Sequence, residues 1–402
     1  MVVAAGRCRQ KFLEENGRMS VKAQTLEGRS TRNSSIEFLK IIGIVLIVIS
    51  HVVQTLCEEN TYIPYQDYVV DLGLATTNIQ YLILSMLRYS GAFGNTIFFV
   101  CTAWYLLDSD RISKRKILQM LMDIWVISVM ILLVVYGLRG GDIEGMVILR
   151  QLLPTTAANN WYMTCYLLFY PIHPFLNMVI YKAEKSTLLK MTLVMLFLYC
   201  GMNYLKGELF FTSKLIVWIV IYFAVAYMKL YLVELSNNFK ANICIFMIGF
   251  IGNYGIIALT NVLGLRLSIL SDKLLHWNVN YSPFILLMVI GLFNIARNIH
   301  RESSTVNYLS GLSLLIYIIH ENALLRTYYR PMMWQYVYEK IGYDYILVWT
   351  FALGLIVFLF ALVSSLVYKC TIQKLVTRAG DVLFPKLCSG YGRIEKLIYK
   401  LH

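Results

Sequence analysis

A set of titratable side chains lies in the first long apolar stretch of the chain, at residues 36–56. On a helix, Lys40 and His51 are eleven residues apart and lie within about 20° of each other on one face, with a rise of roughly 16 Å. Glu37 comes three residues before Lys40 and shares that face. An intramembrane histidine of this kind can act as a general base or carry an acyl group as a nucleophile. The alternative is a packing histidine bonded to a neighbouring helix.

A second titratable pair, His320 and Glu321, ends a later apolar stretch. If that stretch enters the membrane near Tyr308, His320 lies about 18 Å further along the helix axis, inside the membrane. His51 would be at a similar depth, near the bilayer midplane. We therefore predict that the two histidines and Glu321 line one cavity. The alternative places His320 and Glu321 at the outer membrane interface.

A basic cluster follows the second apolar stretch and comprises Arg111, Lys114, Arg115 and Lys116. Charge-assisted hydrogen bonds from these side chains would suit the phosphates of an anionic acyl donor. The alternative is an ordinary cytoplasmic loop, because such loops are rich in Lys and Arg.

Two further residues are secondary candidates, Arg88 at an outer span end and Trp161 at a span start. A snorkelling arginine and an interfacial aromatic belt are the simpler interpretations of these two positions. Downstream of Trp161, Pro171 and Pro174 are expected to kink or break the helix.

These residues need a membrane-embedded scaffold. Of 402 residues, 58% are hydrophobic and 15% are charged, and the mean hydropathy is +0.61, which excludes a water-soluble enzyme. We predict an all-α polytopic membrane protein, multi-pass in the cell membrane, with about ten transmembrane helices. The expected spans are 36–56, 81–107, 117–138, 161–181, 188–205, 215–235, 241–263, 281–299, 308–328 and 345–368.

The distribution of charge predicts the topology. The formal net charge is +13, and most of it lies in two basic tails. Successive loops alternate between basic and acidic almost throughout the chain. This pattern places both termini in the cytoplasm, near anionic lipid. The expected organisation is a basic tail at 1–34, a transmembrane domain at 35–370 and a basic tail at 371–402. Translation starts at either Met1 or Met19.

Composition also argues against several partners. Bases concentrated in two tails do not form a compact base-reading surface, so nucleic acid is not expected. None of the eight cysteines has CxxC spacing, and at least four lie in apolar runs, so we interpret them as small apolar side chains. No metal is expected.

The order of these motifs resembles the acyltransferase 3 family of membrane acyltransferases. That family opens with an acidic residue, then Arg or Lys, then ten residues and a His, which here are Glu37, Lys40 and His51. A motif similar to FFxxSGxLL follows as Phe98-Phe99-Val-Cys-Thr-Ala-Trp-Tyr-Leu-Leu, with Thr and Ala replacing Ser and Gly. The basic pair matches Arg111 and Lys114, and the later motifs match Trp161 onward and Tyr317 with His320. The resemblance covers about residues 35–370.

The resemblance implies a fold of about ten helices and transfer of an acyl group, usually acetyl from acetyl-CoA, to a cell-surface or lipid-linked glycan. It implies bacterial exopolysaccharide or capsule chemistry, with acetyl-CoA as donor, a polysaccharide as acceptor and the lipid bilayer as environment. His51 would act as base or acyl carrier, Glu37 would orient Lys40, and His320 and Glu321 would face the acceptor. The oligomeric state is left open.

Two other classes compete with the enzyme. Ten spans with ionisable residues at the midplane also suit a transporter of a glycan or small anion. However, such carriers often contain two related halves, and the sequence shows no internal repeat. The other class is a non-catalytic partner in polysaccharide assembly.

Overall fold

The computed structural model describes residues 32–57, 79–156, 160–206, 213–264, 281–341 and 345–385. Within these ranges every regular element is helical, which confirms the all-α class. Most of both predicted tails, residues 1–31 and 386–402, lies outside the described residues, as does the predicted outer loop at 58–78. The helices are α1 Ser34–Cys57, α2 Ile79–Arg88, α3 Ser90–Leu106, α4 Lys114–Leu138, α5 Gly145–Leu152, α6 Trp161–Lys182, α7 Lys185–Met195, α8 Asn203–Lys206, α9 Lys214–Tyr231, α10 Val233–Asn237, α11 Phe239–Gly264, α12 Pro283–Asn298, α13 Ser304–Ser310, α14 Ser313–His320, α15 Arg330–Ile341, α16 Ile346–Cys370 and α17 at 372–385.

Seven helices of the described chain are long and apolar enough to span a membrane, and a bent pair raises the number to eight. The π-helical turns Leu196–Met202 and Leu325–Tyr329 join α7 to α8 and α14 to α15. The prediction of ten spans is therefore confirmed only as a multi-pass bundle. Three predicted spans differ in form. The second is divided into α2 and α3 at Tyr89, and the eighth is a 16-residue helix, Pro283–Asn298. The ninth, expected at 308–328, is broken after α14.

Helix α1 lies in the centre of the bundle and packs against α2, α3 and α12 to α16. Its closest approach is to α3, where the backbones of Gly43 and Gly94 meet. A Cβ atom on Gly94 would lie only 2.8 Å from Ile47 Cγ1 and would also strike the Gly43 carbonyl. Small residues let helix backbones approach closely in membranes. This crossing sets the position of α1, and therefore of His51.

The break between α2 and α3 is held by side-chain hydroxyls. Ser90 donates to the carbonyls of Leu87 at 2.7 Å and Leu46 at 3.0 Å, and Ser50 donates to the carbonyl of Arg88 at 2.5 Å. The bonds to Leu87 and Arg88 satisfy carbonyls at the end of α2, where lipid offers no partner. They also tie the break to the part of α1 that carries His51.

A second break separates α14 from the helical segment Leu325–Val337, which is bent by 67° from Ser304–His320. Asn322 lies at this break. Its side-chain oxygen accepts from the Leu324 amide at 3.0 Å, and its amide donates to Gln151 Oε1 at 3.0 Å. The bend turns the chain back toward α1 and brings Arg330 beside His320.

Helix α6 runs without interruption from Trp161 to Lys182, with both prolines inside it. Of the two expected outcomes, a break at Pro171 or Pro174 is therefore wrong, and a kink there stays a prediction. Pro174 has no amide hydrogen, which leaves the Tyr170 carbonyl without its helical donor. His173 Nδ1 lies 2.5 Å from that carbonyl and takes the donor's place.

A buried carboxylate joins α4 to the C-terminal helices. Asp123 accepts from the Tyr368 hydroxyl at 2.7 Å, from Gln373 at 3.1 Å and from Gln119 at 3.0 Å. Buried polar groups of this kind are stable only when their hydrogen bonds are made. The network holds α16 and α17 against α4.

Helices α1 and α3 run antiparallel, because Gly43 faces Gly94 while Ser50 faces Gly91. The start of α1, with Glu37 and Lys40, therefore lies at the same end of the bundle as the segment 107–113 that follows α3. We call this end the basic end. His51 lies about 21 Å from Glu37 along the helix axis, well inside the bundle.

Candidate active site

The two predicted histidines and Glu321 lie together inside the bundle. His51 Nδ1 is 2.7 Å from Glu321 Oε2 and 3.1 Å from His320 Nε2. The two imidazole rings stack, with centroids 5.3 Å apart. The side chains come from α1 and from the end of α14, and all three residues are buried. The three side chains therefore meet at one depth of the bundle, and that they line a cavity stays a prediction, as do their roles.

The hydrogen-bond partners indicate the tautomer of each ring. His320 Nδ1 lies 2.8 Å from the Ile316 carbonyl, which can only accept, so Nδ1 carries the proton and Nε2 presents a lone pair. His51 Nδ1 faces that lone pair and the Glu321 carboxylate, so Nδ1 of His51 carries its proton. The lone pair of His51 is then on Nε2, which makes no hydrogen bond to the described residues. A nitrogen oriented in this way is what a general base requires.

Two arginines beyond the break compensate the charge of Glu321. Arg326 lies 3.1 Å from Oε1, and Arg330 lies 3.5 Å from Oε2. Arg330 is itself buried and also donates to the carbonyls of His320 at 2.5 Å and His51 at 3.3 Å. One guanidinium thus ties the carboxylate to both histidine-bearing helices. A buried carboxylate needs this pairing, since an isolated charge in an apolar interior is costly.

The same three side chains have spacing that a metal ion could use, with ligand atoms within 4.8 Å of one another. Their charge environment argues otherwise. Glu321 already has two guanidinium partners, and a divalent cation would lie beside Arg330 without a further carboxylate to offset it. We therefore interpret the group as a hydrogen-bonded centre.

Glu37 and Lys40 form a separate cluster at the basic end. Glu37 is buried, and its Oε1 accepts from Lys40 at 3.1 Å and from Arg32 at 3.0 Å. The Ser310 hydroxyl donates to the other oxygen. The predicted Glu37–Lys40 pair therefore exists. The structure does not bring it to His51, which lies about 16 Å from Lys40 along α1.

The predicted basic cluster lies on the surface of the described chain. Arg111 and Lys114 are exposed, on the segment 107–113 and at the first residue of α4. Arg115 instead forms an ion pair with Asp381 of α17 at 2.5 Å. Lys116 of the same cluster donates to the Tyr166 hydroxyl at 3.3 Å.

The two secondary candidates lie at different distances from the centre. Trp161 stacks edge-on against Tyr162 at 5.6 Å, and Tyr162 contacts Tyr317, whose ring lies 5.8 Å from that of His320. A row of aromatic rings thus connects Trp161 to the histidines. Arg88 contributes its backbone carbonyl to Ser50, while its guanidinium lies 5.5 Å from the centre of the Tyr89 ring.

Sequence reasoning missed Arg326 and Arg330 as site residues. Arg326 fell near the end of a predicted span and Arg330 fell outside all of them. The break at Asn322 was not anticipated, and without it Arg330 would continue away from Glu321. The available signal was the spacing of Glu321, Arg326 and Arg330, one acid followed by two bases within ten residues.

The fold and the site define a polytopic helical membrane protein with a buried histidine–carboxylate centre. A family model described as an acyltransferase domain, Acyl_transf_3, matches residues 33–368. The chain belongs to the acyltransferase 3 family and is a membrane acyltransferase. No curated protein and no solved structure matches it. Membership favours the enzyme over the transporter and the non-catalytic partner.

Proposed function

We propose that the protein transfers an acetyl group from acetyl-CoA to a hydroxyl of a cell-surface or lipid-linked polysaccharide. The observation that carries this proposal is the pairing of His51 Nδ1 with Glu321, which leaves the lone pair of His51 on Nε2. The proposed setting is the cell membrane, with the basic end in the cytoplasm, where acetyl-CoA is made.

In the proposed reaction, Nε2 of His51 takes the proton of the acceptor hydroxyl, and the freed oxygen attacks the thioester carbonyl. The carbon–sulfur bond breaks, and the leaving thiolate takes the proton back from His51. Glu321 stabilises the imidazolium while it exists, and Arg330 keeps the carboxylate ionised and in place. In the alternative mechanism, the thioester acylates Nε2 directly, and the acyl group then passes to the hydroxyl.

The donor would bind from the basic end. Its phosphates suit the exposed Arg111 and Lys114, and Lys40, held by Glu37, lies at the same end. About 16 Å of helix separates Lys40 from His51, so the donor must reach inward as an extended arm. The acceptor would approach His51 from the other end of the bundle, past His320, Glu321 and the aromatic row that starts at Trp161.

The decisive measurement is acetyl transfer in proteoliposomes with labelled acetyl-CoA and the native glycan. We expect His51→Ala to lower turnover by about 10²- to 10⁴-fold, the range of a lost general base. His300→Ala is the matched control, because His300 is exposed at the end of α12. Full activity of His51→Ala at equal protein abundance would overturn the assignment.

Two further measurements identify the transferred group and distinguish direct transfer from transfer through an acyl-histidine. Surface glycans of a deletion strain and its parent should differ by the mass of an acetyl group. An acid-quenched sample of protein and labelled donor, without acceptor, should carry label on His51 only if the histidine is an acyl carrier. Acceptor flux without acetyl-CoA would instead support a transporter.

A further inference from the structure

The segment 107–113 carries Arg111 and leads into α4. Its backbone is held by hydrogen bonds from side chains of α6. Tyr181 donates its hydroxyl to the Leu107 carbonyl at 3.0 Å, and the Ser113 amide donates to the Tyr170 hydroxyl at 3.2 Å. The Arg111 side chain is nevertheless exposed. The segment therefore has a fixed backbone beneath an exposed cation.

Two fully buried residues of α6, His173 and Asn177, contact the middle of this segment. The Asn177 amide nitrogen lies 3.0 Å from the carbonyls of Leu106 and Ser109, and 3.3 Å from Asp110 Oδ1. The Tyr222 hydroxyl donates to Asn177 Oδ1 at 2.6 Å, which fixes the orientation of the amide. Asn177 thus connects α9, α6 and the segment.

His173 connects the segment to the helix itself. Its Nε2 lies 3.0 Å from the Ser109 carbonyl, and its Nδ1 lies 2.5 Å from the Tyr170 carbonyl that Pro174 leaves without a donor. Both oxygens only accept, so a neutral ring donates to one of them at a time, whereas an imidazolium donates to both. The Nδ1 contact supports helix α6, and the Nε2 contact holds the backbone of the segment.

We propose that His173 and Asn177 are positioning residues for the acyl donor. They hold the backbone from Leu106 to Asp110 so that Arg111 is presented to the donor phosphates. This inference rests on the proposed function, since it takes Arg111 as a donor-binding residue. Neither residue touches the reacting atoms, so their effect falls on donor binding.

The two nitrogens of His173 can be tested separately by two amides. The amide of Gln reaches approximately the position of Nε2, whereas the shorter amide of Asn reaches that of Nδ1. We expect His173→Asn to raise the KM for acetyl-CoA about tenfold, the effect of losing one buried hydrogen bond. kcat at saturating donor should be unchanged, and His173→Gln should stay within about twofold of wild type.

A purely structural role would give the opposite order, because the Tyr170 bond supports the helix. His173→Gln would then be the worse variant, and this result would overturn the proposal. Equal KM values for wild type and His173→Asn would also overturn it. If His173→Asn does not fold, Tyr222→Phe keeps the ring and removes only the hydroxyl that orients Asn177. An unchanged donor KM in that variant would equally count against the proposal.

Arg111→Gln separates this inference from the proposed function. If Arg111→Gln leaves the donor KM unchanged, the donor site of the proposed function is wrong. If Arg111→Gln raises KM and His173→Asn does not, the donor site stands and the positioning role of His173 fails.

Discussion

Nδ1 of His51 lies 2.7 Å from Oε2 of Glu321. The two residues are far apart in the chain, because His320, which directly precedes Glu321, comes 269 positions after His51. The carboxylate sets the proton on Nδ1, so the opposite nitrogen is the basic one. Arg330 completes the arrangement by bonding to Glu321 and to the backbone carbonyls of both histidines.

Replacing Glu321 should impair catalysis more than donor binding. In Glu321→Gln the amide has the same shape but cannot stabilise an imidazolium, so we expect kcat to fall at least about tenfold with little change in the donor KM. Steady-state kinetics with varied acetyl-CoA measure both parameters. The matched control is Glu144→Gln, at an exposed position. A change confined to KM would contradict the role assigned to Glu321.

Removing Arg330 should destabilise the fold through Glu321. Arg330→Met leaves a buried carboxylate with one partner fewer, and breaking a buried pair costs about 3–5 kcal/mol. Thermal unfolding in detergent should therefore shift to a lower midpoint. The double variant Arg330→Met with Glu321→Gln should recover part of the loss, because the uncompensated charge is gone. Strictly additive shifts would show that the two residues do not interact.

The crossing of α1 and α3 should not tolerate a larger residue. Gly94→Ala places a methyl group against Ile47 and the Gly43 carbonyl, and we expect destabilisation of about 1–3 kcal/mol. Gly137→Ala is the control, because a Cβ there meets nothing within 4 Å. Unfolding midpoints of the two variants make the comparison. Equal midpoints would mean that the helices do not pack this closely.

Chelation should not affect turnover. Glu321 is neutralised by Arg326 and Arg330, so the group of His51, His320 and Glu321 has no charge left to offset a divalent cation. We expect the purified protein to keep its activity after dialysis against a chelator, with metal content measured in parallel. If activity is lost and one added metal restores it, the group is a metal centre and the prediction is wrong.

Local patterns were enough to predict the all-α membrane class, the shared face of Glu37 and Lys40, and the similar depths of His51 and His320. These follow from hydropathy and from the helical repeat, which depend on neighbouring residues. The Glu37–Lys40 ion pair forms within one turn of α1, which is why spacing alone revealed it.

Other features depend on contacts between distant segments. The break at Asn322 was not predicted because it is held by Gln151, far away in the chain, and Arg330 reaches Glu321 only through that break. Likewise Pro174 does not interrupt α6, because the neighbouring His173 takes up the freed carbonyl. The ion pair of Arg115 likewise depends on Asp381, which lies on the last described helix.

The sequence by itself therefore determined the class of protein and the residues able to do chemistry, since hydropathy and helical spacing are local properties. Only the tertiary structure decided which of those residues meet. It paired His51 with Glu321, left Lys40 at the basic end, and recruited Arg330. The physical reason is that a buried charge must find its partner wherever the packed helices place one, at any distance along the chain.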